Sequence, residues 1–277
     1  MRVYQQRRSV AAGPISLDGL DLDITVEKPK DDPLEFEVVT WNLSDDSWSQ
    51  IETGDLCRIE LGWADGPVET VTLGEIDTLN RSRDGRDVAH TIAGVDETEA
   101  ATKVRADAQT FEDKTPAQIA SNLVSAVGLS AQTEYEGPPI SGTYAVTPER
   151  TVSAWLDDLI QQAANRAGVE YEWFASRGQV FFQPRSGQAS SAPELSYGGV
   201  LASIGEASDT DDDTDGQLEF EALLDPRITK GAVLSVAVEG YSGAYRVSEY
   251  KMDSATTNGT HEVTGTLIPV DADYSIN

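Results

Sequence analysis

A mainly antiparallel β fold carrying an α+β insertion is predicted by three features of the sequence. Apolar residues alternate with polar ones in runs of six to ten residues, the period of a half-buried strand. Turn signals rich in Gly, Pro and Asp recur about every ten residues, the spacing of a small sandwich or barrel. The period then shifts to that of helices between residues 101 and 186, and returns to alternation afterwards.

The first alternating run sets Leu20, Leu22, Ile24 and Val26 against Asp21, Asp23, Thr25 and Glu27. After a turn at KPKDDP, a second run places Leu34, Phe36 and Val38 against Glu35 and Glu37, and ends in the polar corner WNLSDDSW. A hairpin follows, with GDLCRIELGW turned by ADGP into VETVTLGEIDTL, and NRSRDGRD turns the chain once more into VAHTIAGVD. In the middle stretch Thr115 suits an N-cap and Pro116 the first helical position, with Ile119, Leu123 and Val127 on one face and Gly128 at the end. A second helix is expected over 151–167, with Trp155, Leu159, Ile160 and Ala163 on one side and Gly168 closing it. VEYEWF and QVFFQP then form a hairpin turned at Ser176-Arg177-Gly178. Beyond the linker GQASSAPE the strands ELSYGGVLASI, QLEFEALL, GAVLSVAVEGY, GAYRVSEYKM and HEVTGTLIPV complete the chain. These shifts divide it into an N-terminal β domain over 1–100, an α+β domain over 101–186 and a C-terminal β domain over 187–277.

Gly54–Ile76 and Gly231–Glu249 read alike. Each opens on glycine, runs an alternating strand into glycine plus an aromatic (Gly62-Trp63, Gly240-Tyr241), turns and returns. The similarity predicts that the two β domains are copies of one unit, with coincidence between two ordinary hairpins as the other reading.

Charge is the loudest feature of the composition. Asp and Glu number 48 against 20 Lys and Arg, a formal net charge of −28 with pI near 4.2, and few of the cations are lysine. Such self-repulsion calls for screening, and at molar salt the Debye length falls to about 3 Å. Acids spread over the whole chain with scarce lysine are the pattern of a halophile protein; an acidic surface aimed at a basic partner is the rival. The same charge argues against direct binding of DNA, whose phosphates demand a basic face. No apolar stretch reaches the ~20 residues needed to cross a bilayer, and MRVYQQRRSVAAGPIS lacks the apolar core of a secretory signal, so the chain reads as soluble and unexported.

Little in the sequence points to catalysis. His90 and His261 are the two histidines and lie in separate strand runs, outside any nucleophile-elbow context. Cys57, the single cysteine, sits in LCRIEL as a small buried hydrophobe would. Acid pairs carry no signal in a chain with so many carboxylates. Asp211-Asp212-Asp213-Thr214-Asp215-Gly216 matches the first half of a calcium-binding EF-hand loop, but the twelfth position would be Ala222 where a bidentate Glu is required. A solvated acidic loop is the reading taken, and no catalytic, cofactor or metal residue is assigned. Trp41 and Trp48 frame the polar corner as plausible contact residues; Trp155 and Trp173 are expected in the core.

Several strings in order resemble the late-control-protein family, the baseplate or tail-tip hubs of tailed phages. They are GLDLDITVEKP (19–29), WNLSDDSWSQIETGDLCRIELGW (41–63), VTLGEIDTLNRSRDGRDVAHTIAGVDETEA (71–100), KTPAQIASNLVSAVGL (114–129), TVSAWLDDLIQQAANRAGVEYEWF (151–174) and FEALLDPRITKGAVLSV (220–236). Near the last hairpin YKMDSATTNGTHEV departs from the family's His-Ser-Gly-Asp-like string. The resemblance implies two tail-tube-like β domains per chain. Three chains would form a ring of six such domains that adapts a six-fold tube to a three-fold tip. It implies a structural virion protein at the tail tip, not an enzyme and without cofactors. Its expected partners are its own copies as a homotrimer, a tube or distal-tail ring protein, and tip or fibre proteins. Viral DNA would pass through its channel without specific binding, and no part would insert in a membrane. A tube or distal-tail ring subunit of related fold, a tail-associated hydrolase and a halophile surface-binding module are the alternatives.

Overall fold

The computed structural model describes residues 5–30, 32–96, 98–185, 194–207 and 216–270. The chain divides into two compact units, one built from Met1–Asp96 together with Ala189–Asn277, the other from Glu97–Gln188. The expected boundaries near 100 and 187 therefore fall beside the unit boundaries, and the two β segments share one unit.

The N-terminal segment runs β1 (Gln6–Ala12), β2 (Ile15–Ser16), β3 (Leu22–Lys28), β4 (Glu35–Trp41), the short helix α1 (Asp45–Trp48), β5 (Leu56–Trp63), β6 (Val68–Asp84) and β7 (Asp87–Val95). The middle unit holds α2 (Thr98–Thr102), β8 (Gln109–Glu112), α3 (Pro116–Ala126), β9 (Ser130–Thr133), β10 (Thr143–Val146), α4 (Val152–Ala167), β11 (Tyr171–Ser176) and β12 (Gln179–Pro184). The C-terminal segment adds β13 (Leu201–Glu206), β14 (Leu218–Leu223), β15 (Val233–Val236), β16 (Gly243–Ala255) and β17 (His261–Pro269).

Alternation decides the large unit. Leu22, Ile24 and Val26 of β3 are buried and face Val38 and Phe36 of β4, while Asp23 and Thr25 look outward. Among the described residues the two segments form one 12-stranded sheet in the order β13-β14-β17-β16-β3-β4-β7-β6-β5-β1-β2, with β15 also paired to β16. The join is the antiparallel pairing of β3 with β16, from Asp23 opposite Ala255 to Lys28 opposite Tyr250. One continuous core serves both segments, from Val10 and Ile59 to Val247 and Val263. Strand β1 was not anticipated: Arg7 and Arg8 interrupt its alternation, yet it pairs with β5 along its whole length.

Beneath the single sheet lies a repeat. The strands β3-β4-β7-β6-β5 and the strands β13-β14-β17-β16-β15 follow one order with the same antiparallel pairings. The two strings singled out by similarity, Gly54–Ile76 and Gly231–Glu249, fall on the equivalent hairpins β5–β6 and β15–β16. Both second strands bulge at the same place, skipping Asp77 after Ile76 and Ser248 after Val247. Phe36 lies opposite Gly94 in the first copy and Phe220 opposite Gly265 in the second, so one ring covers one glycine in each. A Cβ on Gly94 would sit 2.8 Å from the Phe36 ring, and one on Gly265 3.1 Å from Phe220.

The middle unit packs α3 and α4 with a three-stranded sheet, β11-β12-β9, in which β12 and β9 run parallel. Both helix starts are capped as their sequences predict. Thr115 and Gln118 form a capping box, and the Thr151 side chain accepts from the Ala154 N–H; Gly168 closes α4 at φ +75°. Ile119, Leu123, Leu156, Leu159 and Phe182 fill this core, joined by Trp155, with Trp173 packed at its margin.

Candidate assembly interface

Two features of the large unit bear on function: a buried polar network that ties the sheet's end back on itself, and two strand edges with no partner in the chain. The network begins at Arg8 on β1, whose Nε donates to Ser254 Oγ at 2.6 Å. Ser254 lies 2.7 Å from His261 Nδ1, and His261 Nε2 lies 3.0 Å from the Gly62 carbonyl. The carbonyl can only accept, so His261 carries its proton on Nε2, and the Ser254 hydroxyl donates to Nδ1. Trp63 packs edge-on against the His261 ring at 4.5 Å and donates its Nε1–H to the Leu224 carbonyl at 2.7 Å. The end of β5 is thus fastened to β17 and to the residue that follows β14. Burial pushes the His261 imidazole down to about 4, against a smaller upward pull from its bond to the Gly62 carbonyl.

A serine touching a histidine suggests hydrolysis, but the surroundings say otherwise. Ser254 is fully buried, so no substrate carbonyl reaches it, and the second ring nitrogen meets a backbone carbonyl where a triad places a carboxylate. His90 holds the matching place in the first copy, four residues before Gly94 as His261 is four before Gly265. It is buried against Trp48 at 4.7 Å, and neither ring nitrogen has a hydrogen-bond partner. Burial, then the nearby Arg81, lowers its pKa below the usual histidine value. Both histidines therefore sit inside strands as neutral structural groups. Cys57 is buried, and desolvation raises its thiol to about 12, where it is not a nucleophile at neutral pH. Among the described residues no three His, Cys, Asp or Glu side chains gather into a metal-binding group. The acidic string Asp211–Asp215 lies outside the described residues. Trp41 and Trp48 are both half-buried, and Trp48 packs against the core.

The unpartnered edges come from the way the two copies meet. Past its bulge, β16 pairs on one side with β17 and on the other with β3. Past the matching bulge, β6 pairs with β7 alone, because its pairing with β5 ends at Glu75. Thr78, Asn80, Arg81, Ser82 and Arg83 are exposed there. Strand β13, the counterpart of β3, pairs with β14 on one side, and its other edge carries no ladder from Ser203 to Glu206.

This architecture, a duplicated tube-like β unit interrupted by a small α+β unit, is the fold of phage tail proteins and of type VI secretion spike components. The 43 kDa tail protein of prophage MuSo2 from Shewanella oneidensis superposes with a TM-score of 0.66 at 14% identity, covering 96% of this chain and 98% of that one. A tail protein from Neisseria meningitidis MC58 gives 0.63 at 13% identity, covering 95% and 96%. An E. coli component of the type VI secretion system, itself structurally similar to the T4 bacteriophage tail proteins gp27 and gp5, gives 0.60 at 11% identity, covering 96% and 77%. No family model and no curated protein matches the sequence. At these identities the likeness is one of fold.

Proposed function

We propose that this chain is the structural hub at the tip of a viral tail, a homotrimer whose six β copies form one ring. The observation that carries this is the duplication: two copies with one strand order, joined through β3 and β16 into a continuous sheet. A tail tube is six-fold and a tip spike commonly three-fold. A chain holding two equivalent units meets both symmetries when three copies close a ring. The described proteins of the same fold are tail and secretion-spike components, which supports the reading. The ring would adapt a tube or distal-tail ring protein to tip or fibre proteins and line the channel through which DNA leaves. With a net charge of −28 the lumen would repel a polyanion and limit its sticking. The same charge fits a virion from a salt-rich habitat. Light scattering of the purified chain in molar salt tests the proposal. A mass of three chains is expected; a monomer or a hexamer favours a different tail subunit, such as a distal ring protein.

A further inference from the structure

We infer that the outer edge of β13 in one copy pairs antiparallel with the post-bulge half of β6 in a neighbouring copy, reproducing between chains the β3–β16 pairing made within one. The inference rests on the ring reading above and adds the surface and register of its interface. In the first repeat β3 offers an edge, and β16 of the second repeat takes it, with Lys251 opposite Glu27 and Met252 opposite Val26. Each partner has a counterpart whose edge is empty within the chain: β13 for β3, and β6 for β16.

The register follows from landmarks already placed. Ile76 and Val247 precede equivalent bulges, so Leu79 corresponds to Tyr250, Asn80 to Lys251 and Arg81 to Met252. Val26 faces Phe36 and Ile204 faces Phe220, so Ile204 corresponds to Val26 and Gly205 to Glu27. Between copies Asn80 then faces Gly205, and Arg81 faces Ile204. Charge agrees with this docking. In a chain of only 20 cations, Arg81, Arg83 and Arg86 gather on the β6–β7 arm, and Glu206 at the end of β13 falls diagonal to Arg81. A long, exposed strand edge is an aggregation hazard unless something covers it, and a second copy of the same fold supplies the missing ladder. The contact joins different strands on the two partners, so it runs head to tail and builds a ring.

Cysteine pairing tests the register. Asn80→Cys and Gly205→Cys in one chain place two thiols on facing residues, within disulfide reach. Gly205 has room for a Cβ, with nothing within 4 Å, and native Cys57 is buried. Glu27→Cys with Lys251→Cys is the control, facing in the same way inside one chain, and should close intramolecularly. On oxidation in molar salt the test pair should give a covalent ladder ending at the ring, reversed by reductant, while either single variant stays monomeric on the gel. An assembly that forms by light scattering, with the control closed and the test pair uncrosslinked, overturns this edge pairing and leaves the ring standing. Dimers from Asn80→Cys alone would show β6 meeting β6 and also overturn it. A chain that stays monomeric by scattering sinks both the interface and the ring.

Discussion

Gly54 and Gly231 hold the same place in the two repeats. The Gly54 N–H donates to the Ile76 carbonyl at 2.8 Å and the Gly231 N–H to the Val247 carbonyl at 2.9 Å. The return bonds are also equal, from Ile76 to Asp55 and from Val247 to Ala232, both at 2.9 Å. Both glycines adopt left-handed backbone, at φ +94° and +83°, and the bulge follows each pair directly.

Substituting alanine at either glycine should therefore cost a similar amount, about 1–2 kcal/mol, because a Cβ strains that conformation. Urea denaturation of Gly54→Ala and Gly231→Ala measures it. A loss at one position and none at the other would contradict the equivalence.

Acid should weaken the large unit through His261. Its folded value of about 4 lies below the unfolded value near 6.5, so the unfolded chain takes up the proton first as pH falls. The neutral, hydrogen-bonded imidazole contributes its full stability above about pH 6.5; that contribution is lost on acidification and is gone near pH 4. The span amounts to about 3 kcal/mol at ~1.4 kcal/mol per unit. His90, also shifted down by burial, adds a slope of the same sign. Stability curves at pH 7 and pH 5 should show a smaller drop for His261→Gln than for the parent. Equal drops would mean that His261 titrates normally in the fold.

Much of this fold is legible in the chain, and the physical reasons are local. Leu22, Ile24 and Val26 announce β3 by period; Thr115, Pro116 and Gly168 mark helix ends by backbone chemistry; the like hairpins betray the duplication. What was not legible depends on partners far away in sequence. The pairing of Asp23 with Ala255 has no local signal, since any alternating strand could take that edge. Strand β1 is hidden because Arg8 spends its charge on Ser254 and Ala255, not on solvent. The histidines read correctly as strand residues, but nothing nearby shows that both are buried or that Ser254 and Gly62 hold His261 in place.

Salt should hold the protein together. At ~10 mM salt the Debye length is about 30 Å, so like charges across the whole surface repel. The melting temperature, or the assembled mass, should fall on dilution from molar salt into that buffer. Circular dichroism with an unchanged melting temperature at both concentrations would remove the halophile reading.

The central claim is a ring of six equivalent β units made by three chains. Electron-microscopic class averages of the purified assembly in molar salt count both numbers at once. The account predicts a closed ring with six lobes around its lumen and three-fold symmetry, the three middle units breaking the six-fold. A ring of six whole chains, or fields of single particles without a lumen, would contradict it.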